Sequence, residues 1–228
     1  MLLGVIGLVA DYYLGRVGST PAPHATTAAP AGSTRPLASS LDALMGLKPI
    51  SSKVAPGFTL TDQHGASWTL RGARGHAVVL TFYNSTCTDI CPVVGEEIRR
   101  AESLLGPRAH GVDFVVVNTD PRDLKVSADP PALSRTGLDR LGDVYFLTGS
   151  LSQIDPVWSN YGVTITVGRR STQMAHNEVM YFIGQHGGLA DLATPFANES
   201  RSGTYTLGAT QVARWAEGIA QTAGSLVP

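Results

Sequence analysis

Cysteine is scarce in this 228-residue chain: there are two, Cys87 and Cys91, four positions apart. A disulfide framework needs more cysteines at wider spacing, so this pair is present for chemistry or by chance. No cysteine precedes Cys87, which leaves no lipid-bearing cysteine near the N-terminal end. Lysine is scarce too, at Lys48, Lys53 and Lys125 among 17 basic residues. With a net charge of −1 and a pI near 6.6, the chain has no basic field to recruit nucleic acid or anionic lipid, so no nucleic-acid partner is expected. Charged residues make up only 15% against 43% hydrophobic, which excludes a chain disordered throughout and supplies a real core. The apolar start Met1–Ala10 is broken by Asp11, and ten residues fall short of the roughly 20 that cross a bilayer core. No internal repeat is present.

What is there divides into three stretches. Residues 1–16 read as the remnant of a membrane anchor or signal segment, although a basic n-region is missing. Residues 17–54 form an Ala/Pro/Ser/Thr-rich stretch that cannot bury enough apolar surface to offset its ordering entropy. It is expected to be a flexible linker, with a short helical turn at Leu41–Leu47. A linker of about 40 residues reaches on the order of 35 Å, enough to hold a domain clear of a membrane surface.

Residues 55–228 read as an α/β domain. Phe58–Asp62 and Ser67–Leu70 predict an N-terminal hairpin around Gln63-His64-Gly65. Ala77–Tyr83 and Val112–Asn118 are continuous apolar runs, the pattern of strands buried on both faces. Between them Val94, Ile98, Ala101 and Leu105 recur at helical spacing, which makes a right-handed βαβ unit. Further helices are expected near Pro131–Leu141 and Leu151–Tyr161, and strands at Val144–Leu147 and Glu178–Ile183. A C-terminal amphipathic helix carries Val212, Trp215 and Ile219 on one face.

Cys87 and Cys91 lie where the first buried strand runs into its helix, and strand ends are where α/β folds place chemistry. Pro92 suits the first helical turn, and Glu96 and Glu97 complement the positive end of the helix dipole. A thiolate is stabilised there. On a helix, positions i and i+4 share a face, close enough for a disulfide after modest rearrangement or for one soft ion such as Cu(I). Two small buried apolar side chains would be the bland alternative. A closed zinc site wants four protein ligands, more than the good candidates present. Of the six histidines, His24, His64, His76, His110 and His186 read as solvated surface residues. His176 directly precedes an apolar strand, so it sits at a strand mouth where a parallel sheet could bring it beside the cysteine loop. At this level a redox pair and a soft-metal site remain equally open.

The run Ala55–Asp62, the Cys87-x-x-x-Cys91-Pro92 motif, Asn118-Thr-Asp-Pro-Arg-Asp123 and His176 ahead of a Tyr-Phe-Ile strand together resemble the SCO/SenC family. The resemblance covers roughly Val54–Val227. It implies a thioredoxin-like three-layer fold with a central mixed sheet, an N-terminal hairpin and a C-terminal helix. It also implies a copper metallochaperone in which Cys87, Cys91 and His176 bind one copper, as Cu(I) or Cu(II). The implied client is the dinuclear copper centre of cytochrome c oxidase subunit two, with a thiol reductant protein as second partner. The place implied is the extracytoplasmic face of a bacterial membrane, on a tether. For the Asp120–Asp123 loop the resemblance implies an orienting or structural role. This sequence departs from the family in Tyr-Asn-Ser-Thr before Cys87, where Gly-Tyr-Thr-His or similar is more frequent. Thr88 stands where Pro is usual, and Ala193–Ser202 reads as an insertion.

The second reading is a thiol–disulfide oxidoreductase, with Cys87 attacking a client disulfide and Cys91 resolving it. Thioredoxin-type enzymes have two residues between their cysteines, not three, and a proline where Ala175-His176 stands here. A third reading, a peroxidase or redox sensor, rests on the opening Ala-Pro-Gly-Phe and on Thr86, but it lacks an arginine close in sequence.

Overall fold

A computed structural model describes residues 40–168, 174–202 and 204–228. The expected anchor remnant 1–16, the first part of the expected linker and His24 lie outside the described residues. In chain order the helices and strands are α1 (Ser40–Met45), β1 (Lys48–Val54), β2 (Thr59–Thr61), β3 (Ser67–Thr69), β4 (Ala77–Tyr83), α2 (Cys91–Leu105), β5 (Val112–Asn118), α3 (Asp129–Thr136) and β6 (Val144–Leu147). There follow α4 (Leu151–Asn160), β7 (Ile165–Val167), β8 (Met174–His176), β9 (Met180–Ile183), β10 (Gly188–Ala193), β11 (Asn198–Glu199), β12 (Tyr205–Thr206) and α5 (Ala209–Gly224).

Six strands form the central sheet in the order β1-β10-β9-β4-β5-β6. β4, β5 and β6 are parallel, as the βαβ pattern requires, while β9, β10 and β1 join in antiparallel fashion. All seven residues of β4 and of β5 are buried, and the pleat divides them between two cores. Val79, Tyr83, Phe114 and Val116 face the layer of α2, α3 and α5, with Val94, Ile98, Trp215 and Ile219 opposite them. Leu80, Phe82, Val115 and Val117 face Leu60, Trp68, Ile154 and Trp158 of the β2–β3 hairpin and α4. Each large side chain fully removed from water on either face contributes about 1.5–3 kcal/mol. Helices, mixed sheet, and helix with hairpin make three layers. The architecture is thioredoxin-like, with the expected N-terminal hairpin and C-terminal helix.

Residues 40–54, expected as linker, are part of this structure. Met45 is buried against α5, and β1 pairs with β10 at the sheet edge. The composition hid the strand because edge strands are polar: Lys48, Pro49, Ser51 and Lys53 suit a strand with one side open, and its register shifts between Pro49 and Lys53. The stretch Ala193–Ser202 leaves β10 and holds β11, which pairs with β12. No described helix is long and apolar enough to cross a membrane.

Candidate functional site

β4 ends in fully buried Tyr83, and the chain then turns tightly through Asn84, Ser85 and Thr86. The Asn84 side-chain Oδ1 accepts from the Thr86 N–H at 2.7 Å and the Thr86 hydroxyl at 2.8 Å, an Asx turn. The Asn84 carbonyl accepts the Cys87 N–H at 3.0 Å. Arg135, arriving from α3, donates to the Ser85 carbonyl. The loop that carries Cys87 is thus held by its own polar side chains and by a guanidinium distant in sequence.

Cys87 and Cys91 are joined as a disulfide, with Cα atoms 6.0 Å apart. They do not share a helix face as i and i+4, because α2 starts only at Cys91, with Pro92 in its first turn. Cys91 is completely buried, while Cys87 is half-buried and opens on a cavity of about 630 Å³. An external nucleophile therefore reaches the Cys87 sulfur first.

His176 lines the same cavity. The strand mouth was the right place but the topology differs from expectation. β9 runs antiparallel to β4, pairing Met180 with Thr81, so its start lies beside the end of β4. The Thr81 hydroxyl donates to the Val179 carbonyl at 3.2 Å and fixes that approach. His176 itself belongs to β8, which pairs with β7. Its imidazole is only 5% exposed, and Nδ1 lies 3.1 Å from the Asn177 carbonyl and 3.7 Å from a Glu178 carboxylate oxygen. Burial pushes its pKa down, more than the backbone bond raises it. With Nδ1–H donating to the Asn177 carbonyl, a neutral ring presents Nε2 as a free lone pair.

Three acids around the site and its flanking helices are buried or nearly so, and among the described residues each has at least one carboxylate oxygen without a hydrogen-bond partner. Burial lifts the pKa of Glu97 and of Glu178 to about 8; it lifts Asp129 to about 8 also, with Asp123 and Asp62 adding to the effect. Glu97 is thus no partner of the helix dipole, since it is buried in the core and, among the described residues, neither carboxylate oxygen has a hydrogen-bond partner. Glu96 instead binds Arg99 and Arg100. The Asp120 loop acts as a brace. Asp120 Oδ1 accepts from the backbone N–H and Nε of Arg122, and the Arg122 guanidinium reaches the Met174 sulfur at 3.9 Å.

The structure brings Cys87 and His176 to one cavity and ties Cys91 to Cys87. With the sulfurs bonded to each other the pair offers no thiolate. Among the described residues no three or more His, Cys, Asp or Glu side chains are grouped to hold a metal ion. Sequence reasoning missed Met174, Glu178 and Tyr205 as cavity residues. The first two carried a legible signal, alternate positions of the strand segment around His176; Tyr205 carried none, since only the fold brings it there. His76 is not a plain solvated histidine, because it holds Asp113 at 2.8 Å on the far end of β5.

The SCO1/SenC family model matches residues 48–204. Protein SenC of Rhodobacter capsulatus is 28% identical over 153 residues, which cover 64% of this chain and 67% of that protein. Among solved structures, copper-bound ScoI of Bradyrhizobium japonicum superposes with a TM-score of 0.57 at 22% identity, over 75% of this chain and 99% of that one. BsSco, described as a Sco-family cytochrome c oxidase assembly protein with a disulfide switch, gives a TM-score of 0.51 at 19% identity, over 78% and 97%. At these identities the structural matches speak for the fold, and the family match speaks for kinship: this chain belongs to the SCO1/SenC family.

Proposed function

We propose that this protein is a copper carrier for cytochrome c oxidase assembly, taking copper as cargo on Cys87, Cys91 and His176 and passing it to the copper centre of oxidase subunit two. One observation carries the reading: Cys87 and His176, far apart in sequence, line a single cavity, and the second sulfur is covalently attached to the first. The oxidised pair must first be reduced. A dithiol reductant supplies one thiolate, which attacks the Cys87 sulfur. The S–S bond breaks and Cys91 leaves with the electron pair and takes up a proton. The reductant's second thiol then releases Cys87 and becomes half of the reductant's own disulfide. Two electrons and two protons pass to the protein. Copper binding displaces the two thiol protons, so affinity rises with pH until both cysteines are ionised. Two thiolates and one imidazole suit Cu(I), and a three-ligand site open to a cavity allows client ligands to replace its own one at a time. The family resemblance supports the oxidase client and an extracytoplasmic place, with residues 1–16 as tether.

An anaerobic Cu(I) titration of the reduced protein tests the site. Wild type takes up one equivalent, Cys87→Ser and Cys91→Ser lose tight binding, and His176→Ala weakens it tenfold or more. Failure of reduced wild type to bind copper, or an unchanged His176→Ala affinity, overturns the reading.

The asymmetry of the disulfide supports a second reading, thiol–disulfide exchange on client cysteines. An exposed-side Cys87 and a buried Cys91 are the attacking and resolving arrangement. Cys91→Ser would then trap a client as a stable mixed disulfide while copper binding proved irrelevant to client maturation.

A further inference from the structure

Three methionines fall among the described residues, and two of them are packing residues: Met45 is 1% and Met180 0% exposed, in the core. Met174 differs. It is half-buried and lines the cavity shared by Cys87 and His176. Within β8, Met174 and His176 are two apart, so their side chains leave the same face of the strand. Both are partly covered, and Ala175 between them is exposed and also borders the cavity. Two strand residues span roughly 6.6 Å, and the three rotatable bonds of methionine let its sulfur swing toward the neighbouring ring. Because Nδ1 of His176 is engaged with the Asn177 carbonyl, the free nitrogen is Nε2. Among the described residues the Arg122 guanidinium approaches the Met174 sulfur at 3.9 Å and also pairs with Asp120.

We propose that Met174 is a further copper ligand of this protein, its thioether and the His176 imidazole forming a pair that retains Cu(I) while Cys87 and Cys91 are joined as a disulfide. The inference rests on the copper-carrier reading and adds to it a holding position independent of the thiolates. A thioether is a soft, neutral donor that selects Cu(I) over hard cations, and imidazole accepts the same ion. Neither needs to lose a proton at neutral pH. Cargo held there stays on the protein during exchange with the reductant and moves onto the thiolates once the disulfide opens. No electron passes between copper and the disulfide in this step.

The test is a Cu(I) titration of the oxidised full-length protein against a chromophoric chelator under nitrogen, with alkylation and mass measurement showing that no thiol is released. Oxidised wild type binds one Cu(I), more weakly than the reduced form. Met174→Leu weakens binding to the oxidised form tenfold or more and to the reduced form less than threefold. Selenomethionine-labelled protein, unaltered at every position, shows selenium as a neighbour of the copper by X-ray absorption. No binding to the oxidised wild type, equal affinities for wild type and Met174→Leu, or no copper–selenium neighbour overturns the inference. Reduced wild type that still binds one copper in those cases leaves the carrier reading standing, and reduced wild type that binds none removes both.

Discussion

His176 is fit to be a ligand because one of its ring nitrogens is already committed. The Asn177 carbonyl takes Nδ1–H and burial disfavours the charged ring, which leaves Nε2 of this cavity-lining residue as a donor of electrons rather than of a proton. Glu97 is the opposite kind of residue, an acid with no partner at the heart of the α2 layer. Its folded-state pKa of about 8 lies above the ordinary 4.5 because burial disfavours its charge. Below pH about 4.5 both folded and unfolded chains hold the proton and nothing is lost. As pH rises from there through 8, the unfolded chain releases a proton that the folded one retains, and stability declines. Glu97→Gln removes that slope. In urea unfolding the variant gains on wild type between pH 5 and pH 9, while Asp129 and Glu178 keep their own contributions in both proteins. A stability difference that stays constant across this range contradicts the assignment.

Helix α2 is the element on which the site depends, since it begins at Cys91 and must lie close to α3, whose Arg135 holds the cysteine loop. Gly95 allows that approach. A Cβ built there would stand 2.3 Å from the Thr136 carbonyl oxygen, a backbone atom that cannot swing aside. Alanine improves helix propensity by about 1 kcal/mol, whereas overpacking costs about 1–3 kcal/mol. Gly95→Ala is therefore expected to lower the thermal midpoint, and an unchanged or raised midpoint would show that the two helices separate freely. At this scale the sequence was most readable where burial was complete. β4, β5 and β6 fall on the apolar runs residue for residue, because a strand covered on both faces carries few polar positions to blur its ends. β1, β7 and β8 were not read as strands: β1 is a polar edge strand whose partner β10 is distant in the chain, and β7 and β8 are three-residue strands of a local hairpin, too short to show a period.

Over the whole molecule, the antiparallel insertion of β9 between β4 and β10 decides the chemistry. It sets the start of one strand beside the end of another and so delivers His176 to the cysteine cavity. Cys87, Cys91 and His176 were visible as candidates from spacing and position alone. Their meeting was not, because it depends on strand direction, which periodicity does not encode. Of the cavity's other members, Met174 comes from β8, two positions before His176, and Tyr205 from β12; only the folded chain reveals Tyr205. The account stands on the convergence of two thiolates and one imidazole on a single copper. X-ray absorption on the reduced, Cu(I)-loaded protein measures that directly. Wild type is predicted to show two sulfur neighbours and one imidazole nitrogen, the nitrogen vanishing in His176→Ala with both sulfurs retained. A copper with sulfur neighbours alone in wild type, and the same spectrum from His176→Ala, would contradict it.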